Sequence, residues 1–460
     1  MLVSRVEKWL CHGSPFARAA HVTWGNQMAT RFVNSLLSTS SAWRRASAWL
    51  CGARWLSAVV ASVVVLRNAH ADAPVRGSET IIVVDRPDGF ALARRRALTE
   101  APFLTLIEAN AHRGEQQSVA SALASAPGTQ VRATGGMGAF SSVSVRGSAA
   151  GHTEVLVNGV PLARLASVTA DLGSYSLEAF SAVELYRGSV PLELSGGGLG
   201  GAVNMVTRLG RNEAGERVRI GLGGGSFGAR TANAWYGDDW AQGRYASSVS
   251  VGYAGARGDY EVYSDNGTPL STRDDRYVTR AHNAYAQGEG NARFGATSGT
   301  WEAGVRALVK RQELPGSLYQ PAQQAMLRTQ NAIADARWQQ RWRNDQLVGE
   351  QRVYGVAERQ AYSDPANEIG VGTQDRAYRT LAAGLLSQWA WLGARTRWLG
   401  VMQTSAEQFS DIDLAQAQAA QTRGNRQSIG LGIGAAWRVS PLVTLSAAAR
   451  GDVVRAGPRQ

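Results

Sequence analysis

From residue 216 onward, apolar and polar positions alternate along the chain in short segments. In "TWEAGVRALV", for example, Trp301, Val305 and Val309 alternate with Glu302 and Arg306. A period of two indicates a β-strand, because successive side chains point to opposite faces of a sheet. We count about eleven such segments, centred near residues 221, 233, 249, 286, 305, 339, 354, 385, 398, 433 and 445.

One face of these segments is apolar and aromatic, whereas the other is small or charged. "SIGLGIGAAWRV" places Ile429, Leu431 and Ile433 on one side and glycines on the other. Transmembrane β-barrels show this pattern because lipid-facing and lumen-facing positions alternate. The 52 Gly, 14 Trp and 13 Tyr agree with it, and no apolar run approaches the roughly 20 residues of a spanning helix. A soluble β-sandwich or propeller shares part of the signature. Polar stretches at Gly255–Arg280 and Arg311–Asn331 predict long loops.

The first 71 residues predict an export signal. The apolar stretch "WLSAVVASVVVL" follows several arginines, and the small residues Ala69 and Ala71 precede a possible cleavage point before Asp72. The leader is longer than usual, so translation from Met28 is one explanation, and an amphipathic or disordered tail is the alternative. The leader also holds most of the net charge of +12, which argues against a nucleic-acid-binding face. Both cysteines, Cys11 and Cys51, lie before the cleavage point, so neither a disulfide nor a thiolate metal site is expected.

Three segments follow the leader. Glu79–Val84, within "SETIIVVDRP", is an apolar strand candidate that could add to the edge of another sheet or form an ordinary first strand. Ala91–Gln117 is expected to be helical or irregular. Ser118–Ala126, "SVASALASA", predicts a short helix capped by Ser118 and ended by Pro127 and Gly128.

The stretch "SVSVRGSAAGHTEVLVNGVPL" (Ser142–Leu162) predicts two strands, with Asn158 and Gly159 as a hairpin turn. Together with the later "DLGSYSLEAFSAVELYRGSVPLELSGGGLGGAVNMVTR", it resembles the plug domain of TonB-dependent outer-membrane receptors. The resemblance runs from Ser118 to Arg208. It implies an α+β plug domain followed by an antiparallel transmembrane β-barrel. The expected boundaries are a leader at 1–71, a TonB-box segment at 72–90, a plug at 91–210 and a partial barrel at 211–460.

The resemblance also assigns roles to individual residues. The TonB box, which pairs by strand addition with the inner-membrane-anchored TonB complex, corresponds to Glu79, Thr80, Ile81, Ile82, Val83 and Val84. Two Arg-Gly pairs would latch the plug to barrel carboxylates through forked guanidinium bonds, with plain solvated arginines as the alternative; they are Arg146 with Gly147 and Arg187 with Gly188. Backbone turns are expected at Asn158, Gly159, Gly197, Gly200 and Gly201. The spacing of these glycines argues against a phosphate-binding loop.

The chain departs from the family in its number of strands. Full members close about 22 strands around the plug, whereas about eleven are visible here. The sequence ends in "RGDVVRAGPRQ", without the terminal aromatic residue typical of such barrels. We therefore expect a fragment, a truncated product or half of a split gene, with the barrel at about half of its 22 strands.

No constellation of residues suggests catalysis, a cofactor or a resident metal. The histidines are scattered, at positions His12, His21, His70, His112, His152 and His282. Acidic pairs such as Asp238 and Asp239 are interpreted as loop charges. The leading hypothesis is an outer-membrane receptor that imports a scarce ligand such as a ferric siderophore, cobalamin or a similar nutrient, with TonB and outer-membrane lipid as partners. The alternatives are a truncated or inert surface protein or adhesin, and a soluble exported β-rich enzyme.

Overall fold

A small domain (residues 103–211) forms from short strands separated by turns. Its strands are β1 (Leu104–Glu108), β2 (Thr129–Ala133), β3 (Ser141–Val145), β4 (Thr153–Val157), β5 (Val160–Pro161), β6 (Phe180–Arg187) and β7 (Gly201–Thr207). Five of them form one sheet in the order β1-β6-β7-β4-β5, in which β4 and β7 are parallel. Strands β2 and β3 form a separate hairpin. Short 3-10 turns lie at Ala150–His152, Leu172–Ser174 and Leu177–Ala179.

The centre of this sheet is the core of the small domain. Every residue of β7 is buried, and six of the eight residues of β6 are buried as well. Phe180, Leu185 and Met205 have no exposed surface. Because both faces of these strands are covered, β6 and β7 are mostly apolar and do not alternate cleanly. Their buried polar residues Glu184 and Asn204 bond to each other at 2.8 Å.

The predicted short helix is present as α1 (Val119–Ala124). Ser118 accepts a hydrogen bond from the Ser121 backbone N–H, so it caps the helix as its position suggests. Val119 and Leu123, one turn apart, are fully buried against the sheet. The expectation of a helical or irregular Ala91–Gln117 is wrong for β1. This edge strand pairs antiparallel with β6, with Leu104 opposite Tyr186, so its partner lies far along the chain.

The alternating segments form one antiparallel sheet of eleven strands, as predicted. They are β8 (Val218–Gly225), β9 (Ala229–Trp240), β10 (Tyr245–Ala256), β13 (Tyr285–Ala296), β14 (Trp301–Glu313), β15 (Met326–Trp342), β16 (Leu347–Asp364), β17 (Gln374–Leu392), β18 (Thr396–Asp413), β19 (Thr422–Ser440) and β20 (Val443–Ala456). All eleven predicted centres lie inside these strands. The hairpin of β11 (Tyr260–Ser264) and β12 (Arg276–Arg280) stands apart, so β10 pairs with β13. Within the part of the chain that is described, β8 and β20 are the edges, and the barrel is not closed.

The two ends of the large sheet differ in their connections. One end, which we call the short-turn end, has the connections 241–244, 297–300, 343–346, 393–395 and 441–442. The opposite, long-loop end has the longer connections 257–284, 314–325, 365–373 and 414–421. The second predicted loop, Arg311–Asn331, is shorter than expected. Arg311 pairs with Arg328 inside β14 and β15. These strand ends are polar on both faces, so the hydrophobic alternation that predicts a strand is missing there.

The inner face of the large sheet is the one that packs against the small domain. On β14, Arg306, Leu308 and Lys310 point inward and are buried, whereas Val305 and Val309 point outward and are exposed. Aromatic side chains line the outer face near the short-turn end. Phe294 lies 5.2 Å from Trp240 and 5.1 Å from Trp301, measured between ring centroids.

The structure, a computed structural model, describes residues 103–109, 117–162, 169–188, 190–194, 198–211, 215–268, 270–343, 346–370, 372–414, 422–440 and 443–457. The predicted leader, the segment Glu79–Val84 and Gly197 lie outside them. Nowhere in these ranges does a helix combine the length and the apolarity needed to cross a membrane.

Candidate functional site

The small domain docks on the inner face of strands β14 to β16. Three sheet residues, Ile333, Tyr354 and Val356, belong to the same buried apolar cluster as the core of the small domain. The hydrophobic effect therefore holds the two parts together over a shared core. Charged side chains surround this apolar contact and determine how it can come apart.

Lys310 of β14 forms the most direct polar contact. Its Nζ atom donates to Asp171 Oδ2 and to Ser174 Oγ, both at 2.9 Å. Asp171 in turn organises the small domain, because its Oδ1 atom accepts from the backbone N–H of Ser141 at 2.9 Å and of Gly173 at 3.1 Å. The Lys310 side chain is 4% exposed and that of Asp171 23% exposed, so the cation is the more deeply buried partner.

Arg306, four residues earlier on the same strand, lies against two aromatic rings. Its guanidinium carbon is 4.7 Å from the ring centroids of both Tyr175 and Phe180. The same guanidinium pairs with Glu289 of β13 at 2.6 Å. Burial raises the pKa of the Tyr175 phenol, with the Arg306 charge acting in the opposite direction. Arg306 thus makes a cation–π contact with the small domain while its charge is balanced within the sheet.

A chain of alternating charges crosses the inner face of strands β13 to β16. Consecutive members are 3.1 to 3.7 Å apart, in the order Asp335, Arg293, Glu302, Arg337, Glu350 and Arg352. Three acids balance three bases, as buried charges require. Arg352, the last residue in this series of ion pairs, lies beside the Asn158–Gly159 turn of the small domain.

A second polar contact lies toward the short-turn end. Glu193 Oε1 of the small domain is 3.5 Å from Arg397 Nη2 of β18. The Leu192 side chain packs on the backbone of Gly432 and Gly434, where any side chain on β19 would crowd it. A cavity of about 790 Å³ opens beside this contact, and Arg395 and Arg438 also line it.

A smaller cavity, of about 120 Å³, lies where the small domain meets the sheet toward the long-loop end. Its polar lining consists mainly of Asp171, Lys310, Gln312, Thr329, Asn331 and Gln360. It has room for about four water molecules, or for one polar group of a larger molecule. The Lys310 ammonium has three N–H donors and uses two of them on Asp171 and Ser174, so one remains for a group in this cavity. Across the described ranges, no cluster of His, Cys, Asp and Glu is suited to hold a metal ion.

Glu368 ties two long loops together. Its Oε2 atom accepts from the backbone N–H groups of Gln323, Gln324 and Ala325, at 2.8, 2.7 and 3.1 Å. These bonds, with that of Gln324 first, hold the pKa of the Glu368 carboxyl below its ordinary value of 4.5.

The three bonds that Glu368 accepts from Gln323, Gln324 and Ala325, which we call the clasp, are expected to break in acid. A carboxyl with a lowered pKa stabilises the folded loop above its unfolded pKa, and that contribution is lost as the pH falls through the lowered value. The protection of the Gln323 to Ala325 amides from hydrogen exchange, relative to an unfolded chain at the same pH, should therefore fall below pH 4.5, and at neutral pH in Glu368→Ala. Glu261→Ala, which removes an exposed acid from β11, is the control. Unchanged exchange in Glu368→Ala would contradict the role of the clasp.

Comparison with known proteins identifies the small domain. The family model described as TonB-dependent Receptor Plug Domain matches residues 107–202. The small domain is a plug domain. The match begins within β1 and ends within β7, in agreement with the sequence resemblance. The contacts above therefore join a plug to the inner face of the barrel sheet.

Several solved structures of transporters and receptors share the described fold of this chain. The chain is similar to the copper transporter OprC, with a TM-score of 0.58, 15% identity and coverage of 77% of this chain and 56% of that one. It is similar to the siderophore receptor PirA from Acinetobacter baumannii, with a TM-score of 0.57, 11% identity and coverage of 78% and 57%. For the ferric yersiniabactin uptake receptor FyuA from Yersinia pestis, the TM-score is 0.53, the identity 16% and the coverage 77% and 61%. The chain therefore spans less than two thirds of the length of these receptors.

The predicted latch arginines both lie in the plug and contact plug residues. The Arg146 guanidinium stacks 4.7 Å from the ring centroid of Phe103. Arg187 Nη1 donates to the Pro127 carbonyl at 3.3 Å. Among the described residues, neither arginine forms an ion pair with the barrel sheet. Gly147 and Gly188, which follow them, have positive φ angles of 74° and 99°. Their role as latches stays a prediction.

The predicted turn residues lie where the backbone of the plug bends most sharply. Asn158 and Gly159 have φ angles of 50° and 78° and join β4 to β5. The positive φ of Gly159 favours glycine at this turn. A Cβ atom there would lie 2.9 Å from Arg352 Nη1, at the flexible end of a side chain that can shift. Gly201 has a φ of 138°, and a Cβ atom there would collide with the Tyr186 carbonyl oxygen. Gly200 packs on Ser148.

Sequence reasoning missed the residues that join the plug to the barrel sheet, namely Asp171, Lys310 and Arg306. It placed positive charges on the plug and negative ones on the barrel, whereas Lys310 and Arg306 are bases on the barrel. One signal was present: Lys310 is the only lysine after Lys8 in a chain rich in arginine, and it occupies an inward position of an alternating strand.

Proposed function

We propose that this chain acts in the outer membrane as a TonB-dependent receptor that imports a scarce small ligand. The observation that carries the proposal is the docked plug: residues that match the plug domain model pack on the inner face of the barrel sheet through a shared apolar core and a limited set of charged contacts. The named relatives are described as transporters and receptors, which supports a transport role rather than an enzymatic one.

In the proposed cycle, the ligand arrives at the long-loop end. It meets the plug beside the small cavity lined by Asp171 and Lys310. The segment Glu79–Val84 then pairs with TonB by strand addition. A pull on the plug separates Asp171 from Lys310 and Tyr175 from Arg306, and the ligand passes along the inner face of the sheet. These contacts suit a repeated motion because water can replace them when the plug moves.

We propose a ferric siderophore, cobalamin or a nutrient of similar size as the ligand. A siderophore receptor and a ferric yersiniabactin uptake receptor are among the structures similar to this chain, which supports a chelated metal. The leader of residues 1–71 would direct export and be removed after Ala71.

A proline in the TonB-box segment tests the proposal. Ile82→Pro removes a backbone N–H and fixes φ, so it should abolish strand addition and reduce uptake to background. Ile82→Ala keeps the backbone and is the matched control. Uptake of labelled ferric siderophores and cobalamin would be measured in cells that lack their own receptors, with outer-membrane fractionation to confirm equal amounts of protein. Equal uptake in the proline and alanine variants would refute TonB-driven import and favour a non-transporting surface protein.

A further inference from the structure

The outer face of the barrel sheet carries a patch of arginines near the long-loop end. Arg311 of β14 lies directly opposite Arg328 of β15, and Arg359 of β16 lies directly opposite Arg379 of β17. Arg423 of β19 faces Ser410, which is itself the partner of Arg379. We call Arg311, Arg328, Arg359, Arg379 and Arg423 the arginine patch.

Pairs of like charges directly opposite each other destabilise a sheet. The patch contains two such pairs. On strands β14 to β18 the other members of its two rows are uncharged: Val309, Gln330, Ala361, Ala377, Ser410 and Ile412. One row continues from Arg311 through Ala286 and Gly255 to a further arginine, Arg230. Arg311, Arg328 and Arg359 are exposed and form no ion pair with any described acidic residue. Because the described acids do not neutralise Arg311, Arg328 and Arg359, the arrangement points to an anionic partner outside the protein.

The position of the patch identifies where that partner lies. On three strands an arginine of the patch and an outward tryptophan of the short-turn end are ten residues apart: Arg311 and Trp301, Arg328 and Trp338, and Arg379 and Trp389. Ten residues span about 33 Å along a strand, and a tilt of about 45° reduces this to about 24 Å across the sheet, the height of a barrel's apolar band. Small and apolar residues such as Ala303, Val305 and Leu381 lie between. Tryptophans and arginines thus border the two sides of one membrane-sized band.

We propose that the arginine patch binds the phosphate groups of a lipid headgroup in the outer leaflet. A guanidinium binds phosphate through two parallel N–H bonds, and two opposed arginines can hold one phosphate between them. Two such pairs on neighbouring strands fit a headgroup that carries two phosphates, as diphosphoryl lipid A does. This inference rests on the proposed outer-membrane location but not on transport.

Lipid binding to the purified full chain in neutral detergent tests the proposal. Native mass spectrometry would count bound lipid during titration with diphosphoryl lipid A, monophosphoryl lipid A or phosphatidylglycerol, and with inorganic phosphate as a competitor. The test variant is Arg311→Gln/Arg359→Gln, which leaves one arginine in each opposed pair. The matched control is Arg343→Gln/Arg395→Gln, which removes two exposed arginines from the short-turn end.

The test variant should bind diphosphoryl lipid A roughly 25-fold more weakly, about fivefold for each arginine removed. The control should bind normally, and lipid-free thermal stability should not fall in the test variant because repulsion is relieved. If the control loses as much affinity for diphosphoryl lipid A as the test variant, or if the test variant loses none, the arginine patch is not the binding site. If phosphatidylglycerol binds as tightly as diphosphoryl lipid A, the assignment to a headgroup with two phosphates is wrong. If inorganic phosphate at the same concentration as the lipid displaces it completely, the patch binds free phosphate rather than a lipid. The assay contains neither TonB nor a transported ligand. A negative result in the uptake experiment would therefore not affect the lipid-binding result.

Discussion

Replacing Arg306 with methionine is expected to loosen the plug from the barrel sheet by about 3 to 5 kcal/mol, the usual effect of breaking a buried ion pair from one side. The Arg306 side chain is 3% exposed and that of Glu289 8% exposed. The variant leaves the Glu289 carboxylate buried without its cation. It also removes the charge that lies on the rings of Tyr175 and Phe180.

Hydrogen exchange of the full chain in detergent would measure this effect. A loss of 3 to 5 kcal/mol accelerates exchange from the open state by about a hundredfold to a few thousandfold, and plug amides at 172–187 should show it. Arg426→Met is the control, because Arg426 pairs with Glu407 at 2.7 Å on the same sheet and, among the described residues, forms no hydrogen bond or ion pair with the plug. Plug exchange that accelerates equally in both variants would mean that the sheet, rather than the docking contact, had been weakened.

A double variant separates charge from stacking. Arg306→Met/Glu289→Leu removes both charges, so most of the stability should return if the unpaired carboxylate causes the loss, because apolar replacements of a buried ion pair are often tolerated. If the double variant exchanges as fast as the single one, the docking energy comes instead from the contact of Arg306 with Tyr175 and Phe180 and from the bond that Glu289 accepts from the Ser176 backbone N–H.

The sheet could be predicted from the sequence because its signal is local. Val305 and Val309 on one face and Arg306 and Lys310 on the other repeat within a single strand, and neighbouring strands follow one another along the chain. The same locality explains the turn of Asn158 and Gly159. Where the strand ends become polar on both faces, as at Arg311 and Arg328, the alternation disappears and the predicted loop was too long.

The docking contacts could not be predicted because they join distant parts of the chain. Lys310 and Asp171 lie 139 residues apart, and no spacing rule relates them. Arginines are so frequent in this chain that their presence does not show which side of an interface is basic. Strand β1 was missed for a related reason, because its pairing with β6 depends on a partner far along the chain.

The contact between Asp171 and Lys310 should respond unequally to the loss of either partner. Lys310 is 4% exposed and Asp171 23% exposed, so an unpaired ammonium is desolvated more strongly than an unpaired carboxylate. Asp171→Asn keeps an oxygen to accept from Ser141 and Gly173 but removes the counter-charge. We expect it to weaken docking by about 3 to 5 kcal/mol, whereas Lys310→Met should cost about 1.5 to 3 kcal/mol, the value of a hydrogen bond to a charged group.

Hydrogen exchange at the amides of Ser141 and Gly173 reports on this contact directly, because both donate to Asp171. The double variant Asp171→Asn/Lys310→Met removes both charges and should exchange more slowly than Asp171→Asn alone. That order follows only if burial of the ammonium dominates. If Lys310→Met is instead the more damaging single change, the ammonium contributes through its bond to Ser174 and its place beside the cavity, and the plug would then be held by hydrogen bonds rather than by the charge of Asp171.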